Sequence, residues 1–405
     1  MSTAPERKPR VFSVFAIRSY RFQWSADLLT SWAFEMEMLI LGWYVLVTTD
    51  SAFLLSVVAA LQYGGTLLSP FFGVIADRVN RRSMLITLRA SYAALALTLA
   101  CMGAFGDVPT WLIFTIAGLG GLIRPSDLVV RNSLIADTVP IHQLRDAMGL
   151  SRTTMDSARI LGALLGASLL SSSGLAVAYG GVTGFYVLSI ALAFGIASRA
   201  AVPVTNKPWA ELKSGLRYMG DNRVIVGIVL LAFLVNLTAF PLSHGLLPVV
   251  ARDIYAVDEN GLAQLVASFA FGALLGSLVT ALAFRGARPG RTVAINVLIW
   301  YALLIGLGYT TSHTVGMGLL VLVGAAQSFG MISMSVLLLS TTESAYRGRV
   351  QGVRMLSVYG LPIGLLVGGA LIERYGVAST FTVYGIAGIV GMGAILKRWP
   401  QMLKA

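Results

Sequence analysis

The stretch GVIADRVNRR, Gly73 to Arg82, lies between two long apolar runs and packs one aspartate and three arginines into ten residues. The surroundings make that density unusual. The chain has 405 residues, of which 56% are hydrophobic and only 12% charged; its mean hydropathy is +0.78. A soluble domain carries about twice that charge density. Apolar windows of about 20 residues, enough to cross a bilayer, recur from one end of the sequence to the other. The composition therefore describes a polytopic membrane protein, and the charged stretch is the turn between two of its spans. The single cysteine, Cys101, excludes an internal disulfide and reads as a packing residue in an apolar run. The basic opening MSTAPERKPR is followed by an apolar stretch too long for a cleaved signal core, so it reads as preceding a retained span.

Apolar length and polar punctuation divide the chain into twelve spans, near 22–48, 53–76, 84–105, 110–135, 147–171, 175–198, 224–250, 261–284, 292–311, 315–340, 351–372 and 377–396. All must be helical, because a strand edge cannot be satisfied in lipid. The expected class is an all-α membrane protein of twelve transmembrane helices in two pseudo-symmetric six-helix halves. The connections alternate in character. GDVP and SSSG carry no Lys or Arg, whereas DRVNRR, RGARPGR and YRGRV are basic. One set of connections collects Arg78, Arg81, Arg82, Arg145, Lys207, Lys213, Arg217, Arg285, Arg288, Arg291, Arg347 and Arg349; the opposite set holds only Arg252 and Arg374. The positive-inside bias then places both termini in the cytoplasm, in a cytoplasmic (inner) membrane protein. Topology accounts for the net charge of +12 without a nucleic-acid partner. Lipid is the implied surrounding, and nothing in the pattern calls for more than a monomer.

The longest connection, 199–223, separates six spans (1–198) from six (224–405), and its WAELKSGLRYM segment has the pattern of a short amphipathic helix on the inner surface. The two halves echo one another. Tyr63–Gly64 falls opposite Phe271–Gly272, Gly149 opposite Gly352, and Gly166 opposite Gly369. Two similar six-span halves joined by a loop suit a transporter that rocks around a central site.

These residues support a resemblance. GVIADRVNRR resembles the signature between spans two and three of the major facilitator superfamily, with Gly73, Asp77, Arg78, Arg81 and Arg82 in matching places. Asn80 stands where a second glycine is usual, and is expected to keep a left-handed turn. The resemblance implies that this loop locks the cytoplasmic side during the cycle, with Arg131, at the end of span four, in the same gate. Three further stretches are similar to the enterobactin-exporter and macrolide-efflux branch: Ser31, Glu35 and Trp43 in span one; Arg131, Asp137, Pro140, Leu144 and Ala147 around the end of span four; and ELKSGLRYM in the central loop. One departure concerns span five. Efflux members often carry Gly-Pro-x-x-Gly there, and this chain has GALLG, Gly162 to Gly166. The small-xxx-small spacing is kept and the proline kink is lost.

Ionisable groups inside a membrane are costly and mark function by default. Span one holds Asp27, Glu35 and Glu37; span four holds Arg124, Asp127 and Arg131; span five holds Arg152, Asp156 and Arg159; Arg89 lies near the start of span three. Helical spacing makes each Arg–Asp–Arg set a stripe on one face, and places Asp127 and Asp156 at similar depth. Glu35 and Glu37 are two residues apart, about 200° around the helix, so one should face the cavity and the other a neighbouring helix. Neither has a basic partner in its own span, and desolvation disfavours an unpaired carboxylate. That is the property of a proton-exchanging site, and Glu35, which matches the resemblance, is the first choice, with Glu37 and Asp127 as the others. Asp27, Arg124, Asp156, Arg159, Asn236, His244 and Gln327 are the candidate substrate-cavity residues.

The leading function is a secondary transporter exporting a small organic molecule, drug- or siderophore-like, against proton entry. A second is uptake or facilitated diffusion of an anionic metabolite bound by Arg124 and Arg159. A non-transporting receptor or scaffold has no need of these buried charges. An enzyme reading finds no nucleotide-binding loop, metal-ligand cluster or nucleophile–base motif. No cofactor or metal is expected; the proton gradient is the energy source.

Overall fold

The computed structural model describes residues 11–68, 79–106, 108–197, 208–283, 288–343 and 346–403. Gly73, Asp77 and Arg78 of the opening motif lie outside the described residues. Among the described residues there are helices and turns and no strand. Eight helices among the described residues are long and apolar enough to cross a membrane. Two of these are double. The run Ile141–Ala193 breaks at Gly174 (φ 77°), and Gly360–Arg398 breaks at Gly376 (φ 80°). Both glycines sit in the left-handed region, where a side chain would be strained. Spans five and six, and eleven and twelve, are therefore pairs folded over one glycine each. Span one, Arg18–Thr49, and span two, which begins with Ala52–Tyr63, complete the set.

Local chemistry explains the remaining boundaries. Ser51 caps span two by accepting from the Leu54 N–H at 3.0 Å, and Asn222 caps span seven through the Val224 and Ile225 N–H groups. Pro109, Pro140 and Pro289 stand at the starts of spans four, five and nine, where no amide donor is needed. Asn80 corrects the expectation of a left-handed turn. Its φ/ψ of −62°/114° is extended, and its side-chain oxygen accepts from Arg82 and Ser83 N–H at 3.1 and 3.2 Å. Asparagine replaces glycine here as a helix cap.

Span one packs on the Ile141–Ala193 run, where Gly162 and Gly166 allow close approach: a Cβ on either would sit 2.9 Å from Trp32 O or Met36 Cα. GALLG is thus a contact stripe. Spans two and eleven pack together, as do the Ile141–Ala193 run and span eight, which joins the first six spans to the last six. The helix Pro208–Asp221 docks on Arg347–Met355: Tyr218 stacks on Tyr346 at 4.2 Å, and Arg349 donates to Ser214 Oγ at 3.0 Å. Cys101 is exposed on span three rather than packed. Span seven is the irregular one. Pro241–Gly245 and Val250–Ile254 are π-helical turns around the short piece Leu247–Val249, a distortion that recurs at functional sites.

Candidate functional site

A cavity of about 650 Å³ lies between the two sets of spans. One wall comes from spans one to six and is charged, with Glu35, Glu37, Arg124, Asp127, Arg131 and Arg159; the facing wall supplies Gly352, Met355, Leu356 and Tyr359, with Arg349 at its basic end. Polar and ionic groups therefore face an apolar surface across the space.

The glutamates correct two expectations. Both line the cavity, although they are two residues apart; a wide cavity spans more than one helix face. Glu35 is not unpaired, since its Oε1 lies 3.8 Å from Arg159 Nε of span five. Glu37 accepts a hydrogen bond from Tyr186 Oη at 3.2 Å. The Arg124 guanidinium lies at the Phe34 ring of span one instead of pairing with Asp127 in its own stripe.

Behind this wall four charges form a buried cluster. Arg89 donates through Nη2 to Asp27 Oδ1, and its Nε is 3.8 Å from Asp127 Oδ1. Arg131 Nε is 3.3 Å from Asp27 Oδ2, and Nη1 is 3.6 Å from Asp127 Oδ2. Arg131 also donates to Ser31 Oγ at 3.2 Å. All four residues are buried, and two guanidiniums balance two carboxylates. Asp27 is in this cluster and does not line the cavity, while Asp127 and Arg131 belong to both.

The stripe on span five divides. Arg159 reaches the cavity, but Asp156 does not line it; its carboxylate pairs at 3.3 Å with Arg152, whose side chain is 73% exposed. The two aspartates therefore do not share an environment, because the helices carrying them are rolled differently against their neighbours. Asn236 is buried and turns its amide onto Ala232 O of its own helix at 2.8 Å, and the Gln327 side-chain oxygen is buried with no hydrogen-bond partner among the described residues. Neither lines a cavity described here. His244 lines a smaller adjoining cavity. In the motif at the basic end, Arg81 pairs with Asp137 at 2.5 Å, and the Arg82 guanidinium lies 5.7 Å from the Phe194 ring.

The sequence assigned no role to several residues that prove central. Arg89 stood out only as a charge in an apolar span. Gln62 is marked in the sequence only as a neutral amide in an apolar span. Tyr63, Tyr92 and Tyr186 line the cavity, and nothing in an apolar run distinguishes such tyrosines from packing residues.

At the end opposite the basic connections, spans one and two are tied to seven and eleven. Arg252 Nη1 pairs with Asp50 Oδ1 at 2.9 Å and donates to Leu46 O at 2.7 Å. Glu373 Oε1 accepts from Phe53 N at 3.0 Å and from Ser51 Oγ. These ties close this end between the two sets of spans, and none of the residues that make them lines the cavity, whose lining reaches Arg349, Gly352 and Met355 toward the basic end.

Comparisons with known proteins agree with this architecture. Residues 24–362 match the family model described as Major Facilitator Superfamily. Curated relatives called multidrug resistance protein MdtG, from Salmonella typhimurium strain LT2, are 26% identical over 395 residues, covering 93% of this chain and 94% of theirs; the Salmonella choleraesuis relative is 25% identical over 394 residues, covering 93% of this chain and 94% of its own. Among solved structures, the nucleoside transporter NupG superposes with a TM-score of 0.76 at 13% identity, covering 94% of this chain and 98% of that one. A bacterial homolog of the human lysosomal transporter Spinster, inward-facing and unoccupied, gives 0.68 at 15% identity, covering 95% of this chain and 96% of that one.

Proposed function

The chain belongs to the major facilitator superfamily, and from that premise we propose that it exports a small organic molecule across the cytoplasmic membrane in exchange for protons. Members of the family are carriers, so the chain moves its substrate without transforming it. The basic end is the cytoplasmic one in this reading, with both termini there, and the protein works as a monomer. Residues 1–198 and 224–405 are the two moving halves, and 199–223 joins them. The closed end is then the outer one, and the structure corresponds to an inward-facing state. The motif Gly73–Asp77–Arg78–Arg81–Arg82 is the inner gate that would close in the other half of the cycle. The relatives named as multidrug resistance proteins support the export direction.

One observation carries the coupling assignment: two half-buried glutamates share a cavity wall with Arg124 and Arg159, and their partners differ. Glu35 has a guanidinium, and Glu37 a phenol. A carboxylate beside a fixed cation holds its charge, whereas one facing a hydroxyl can exchange a proton with less loss. Glu37 is therefore the proton carrier, and Glu35 with Arg159 is the ion pair that a charged substrate group opens. Asp127 sits among neutralising arginines and serves the scaffold.

The test compares Glu37→Gln and Glu35→Gln in proteoliposomes, with and without an imposed pH gradient. The substrate panel includes lipophilic cations, siderophores and organic anions. Glu37→Gln is expected to lose uphill transport and keep downhill exchange, while Glu35→Gln keeps the gradient response with weaker substrate binding. Full gradient-driven transport by Glu37→Gln sinks the assignment. Accumulation of organic anions with the gradient, dependent on Arg124 and Arg159, would establish the uptake reading instead.

A further inference from the structure

The smaller cavity, about 120 Å³, continues the central one toward the closed end. Phe34, Glu35, Met38, Gln62, Tyr63 and Arg159 border both. Beyond them its wall is almost wholly apolar, with Gly42 and Leu55 on one side and Pro248, Leu262 and Val266 on the other. The π-helical turn Pro241–Gly245 shapes this wall. There the His244 ring packs at 4.9 Å on Phe269 and at 5.2 Å on Phe240, with Ser243 Oγ 3.2 Å from its Nδ1. The imidazole is thus one panel of an aromatic wall.

A second feature points to a ligand. Gln62 is 8% exposed, and its side-chain oxygen has no hydrogen-bond partner among the described residues. It stands at the junction, bordering both cavities. A buried amide oxygen left unpaired is unfavourable by about 1–3 kcal/mol; the oxygen is itself out of solvent contact in this state, so a donor on a bound molecule removes that penalty once the side-chain amide turns toward it.

We propose that the small cavity is a subsite for one apolar group, up to about a single aromatic ring, of an amphipathic substrate whose polar head occupies the central cavity and whose hydrogen-bond donor meets the Gln62 oxygen. The inference rests on the transport reading above and names its substrate class. The size limit follows from volume, since an apolar cavity of roughly 150 Å³ accommodates benzene. The head group is served by Glu35, Arg159 and Arg124 on the charged wall. Binding the ring at the interface of the two sets of spans also gives the substrate contacts that change when the halves rock, which is how a ligand biases a two-state protein.

The experiment uses the full chain in lipid nanodiscs, with empty discs as reference. Binding of 4-fluorobenzylammonium, 4-fluorobenzoate and 4-fluorobenzyl alcohol is read by fluorine NMR, and methylammonium, acetate and methanol serve as ringless competitors. At least one ring probe is expected to bind on the order of tenfold or more tighter than its ringless counterpart, the scale of burying a ring. Gly42→Ala narrows the cavity without a clash, its Cβ meeting Leu55 Cδ1 at 3.5 Å and Pro248 Cγ at 3.6 Å; Val266→Phe fills it further. Both should erase most of the ring-dependent gain while a monodisperse elution profile shows that the fold is kept. Gln62→Leu should weaken the alcohol and ammonium probes and spare benzoate, which has no donor. Unchanged ring binding in both filled variants, or no ring-dependent binding in the wild type, overturns the subsite. Transport in liposomes is measured in parallel. Ring binding that the fillings abolish, in a protein that transports nothing, upholds the subsite and removes only the transport reading. Gradient-driven transport together with ring binding indifferent to the fillings does the opposite.

Discussion

Replacing Arg89 by methionine removes one guanidinium from the buried cluster and keeps most of the side-chain volume. Arg89 is 0% exposed, and Asp27 and Asp127 both lie against it. With Arg131 the cluster is neutral; without Arg89, two carboxylates share one cation. A unit pair at the 3.8 Å separating Arg89 from Asp127 is worth about 4 kcal/mol at an effective dielectric of 20. Desolvation offsets part of that for the intact pair, but nothing offsets the carboxylate left behind. The expected loss is about 3–5 kcal/mol, the range for breaking a buried ion pair from one side. Adding Asp127→Asn restores neutrality and leaves Asp27 with Arg131 at 3.3 Å. That double variant should recover at least ~2 kcal/mol of the loss, because the sites are coupled. Thermal unfolding of the purified protein, followed by tryptophan fluorescence, reads this as a fall on the order of 4–6 °C for Arg89→Met, reduced in the double variant. A single variant as stable as wild type, or a double variant no better than the single, refutes the account of a neutral scaffold. A different failure is also informative. Asp127→Asn with retained stability and no gradient-driven transport would move the exchangeable proton from Glu37 to Asp127.

The tie at the closed end should act on conformation more than on stability. Arg252→Ala removes the pair to Asp50 and the bond to Leu46 O, and is expected to favour the outward-open state by about 1–2 kcal/mol, roughly a fivefold to thirtyfold shift. Spin-label distances across that end, in a Cys101→Ser background, would lengthen; an unchanged distribution rejects the latch. Asp258, in the connection before span eight, accepts from the Gly261 N–H at 2.9 Å, and that bond holds its carboxyl below the usual aspartate range. Because the folded-state value is lowered, the cap contributes stability at neutral pH, and the contribution is lost as pH falls below about 4. Asp258→Ala should therefore destabilise by about 0.5–2 kcal/mol at pH 7, with the gap to wild type closing in acid. A gap independent of pH would show that the cap does not depend on the carboxylate's charge.

Properties that depend on composition and near neighbours were legible in the sequence. Apolar length marks a span because lipid offers the backbone no partners, and Arg and Lys crowd the connections on one side for the same electrostatic reason everywhere along the chain. The membrane class and the family followed from these patterns and from a ten-residue motif. The sequence also marked the residues a bilayer tolerates poorly, and Glu35, Glu37, Arg124, Asp127, Arg131 and Arg159 all line the central cavity. It could not assign their partners. Helix rotation, set by packing such as Gly162 and Gly166 against span one, brought Arg159 to Glu35 and kept Asp156 off the cavity, while the Arg152–Asp156 pair follows from spacing along one helix. Spacing along one helix had suggested Arg124 with Asp127; contact between helices put Arg124 on Phe34 and Arg89 beside Asp127. The small cavity was the least legible feature, because it exists only where a π-helical turn of span seven meets spans one, two, five and eight. Hydropathy and charge are additive along a chain, whereas pairing energies depend on which faces meet, and only the tertiary structure decides that.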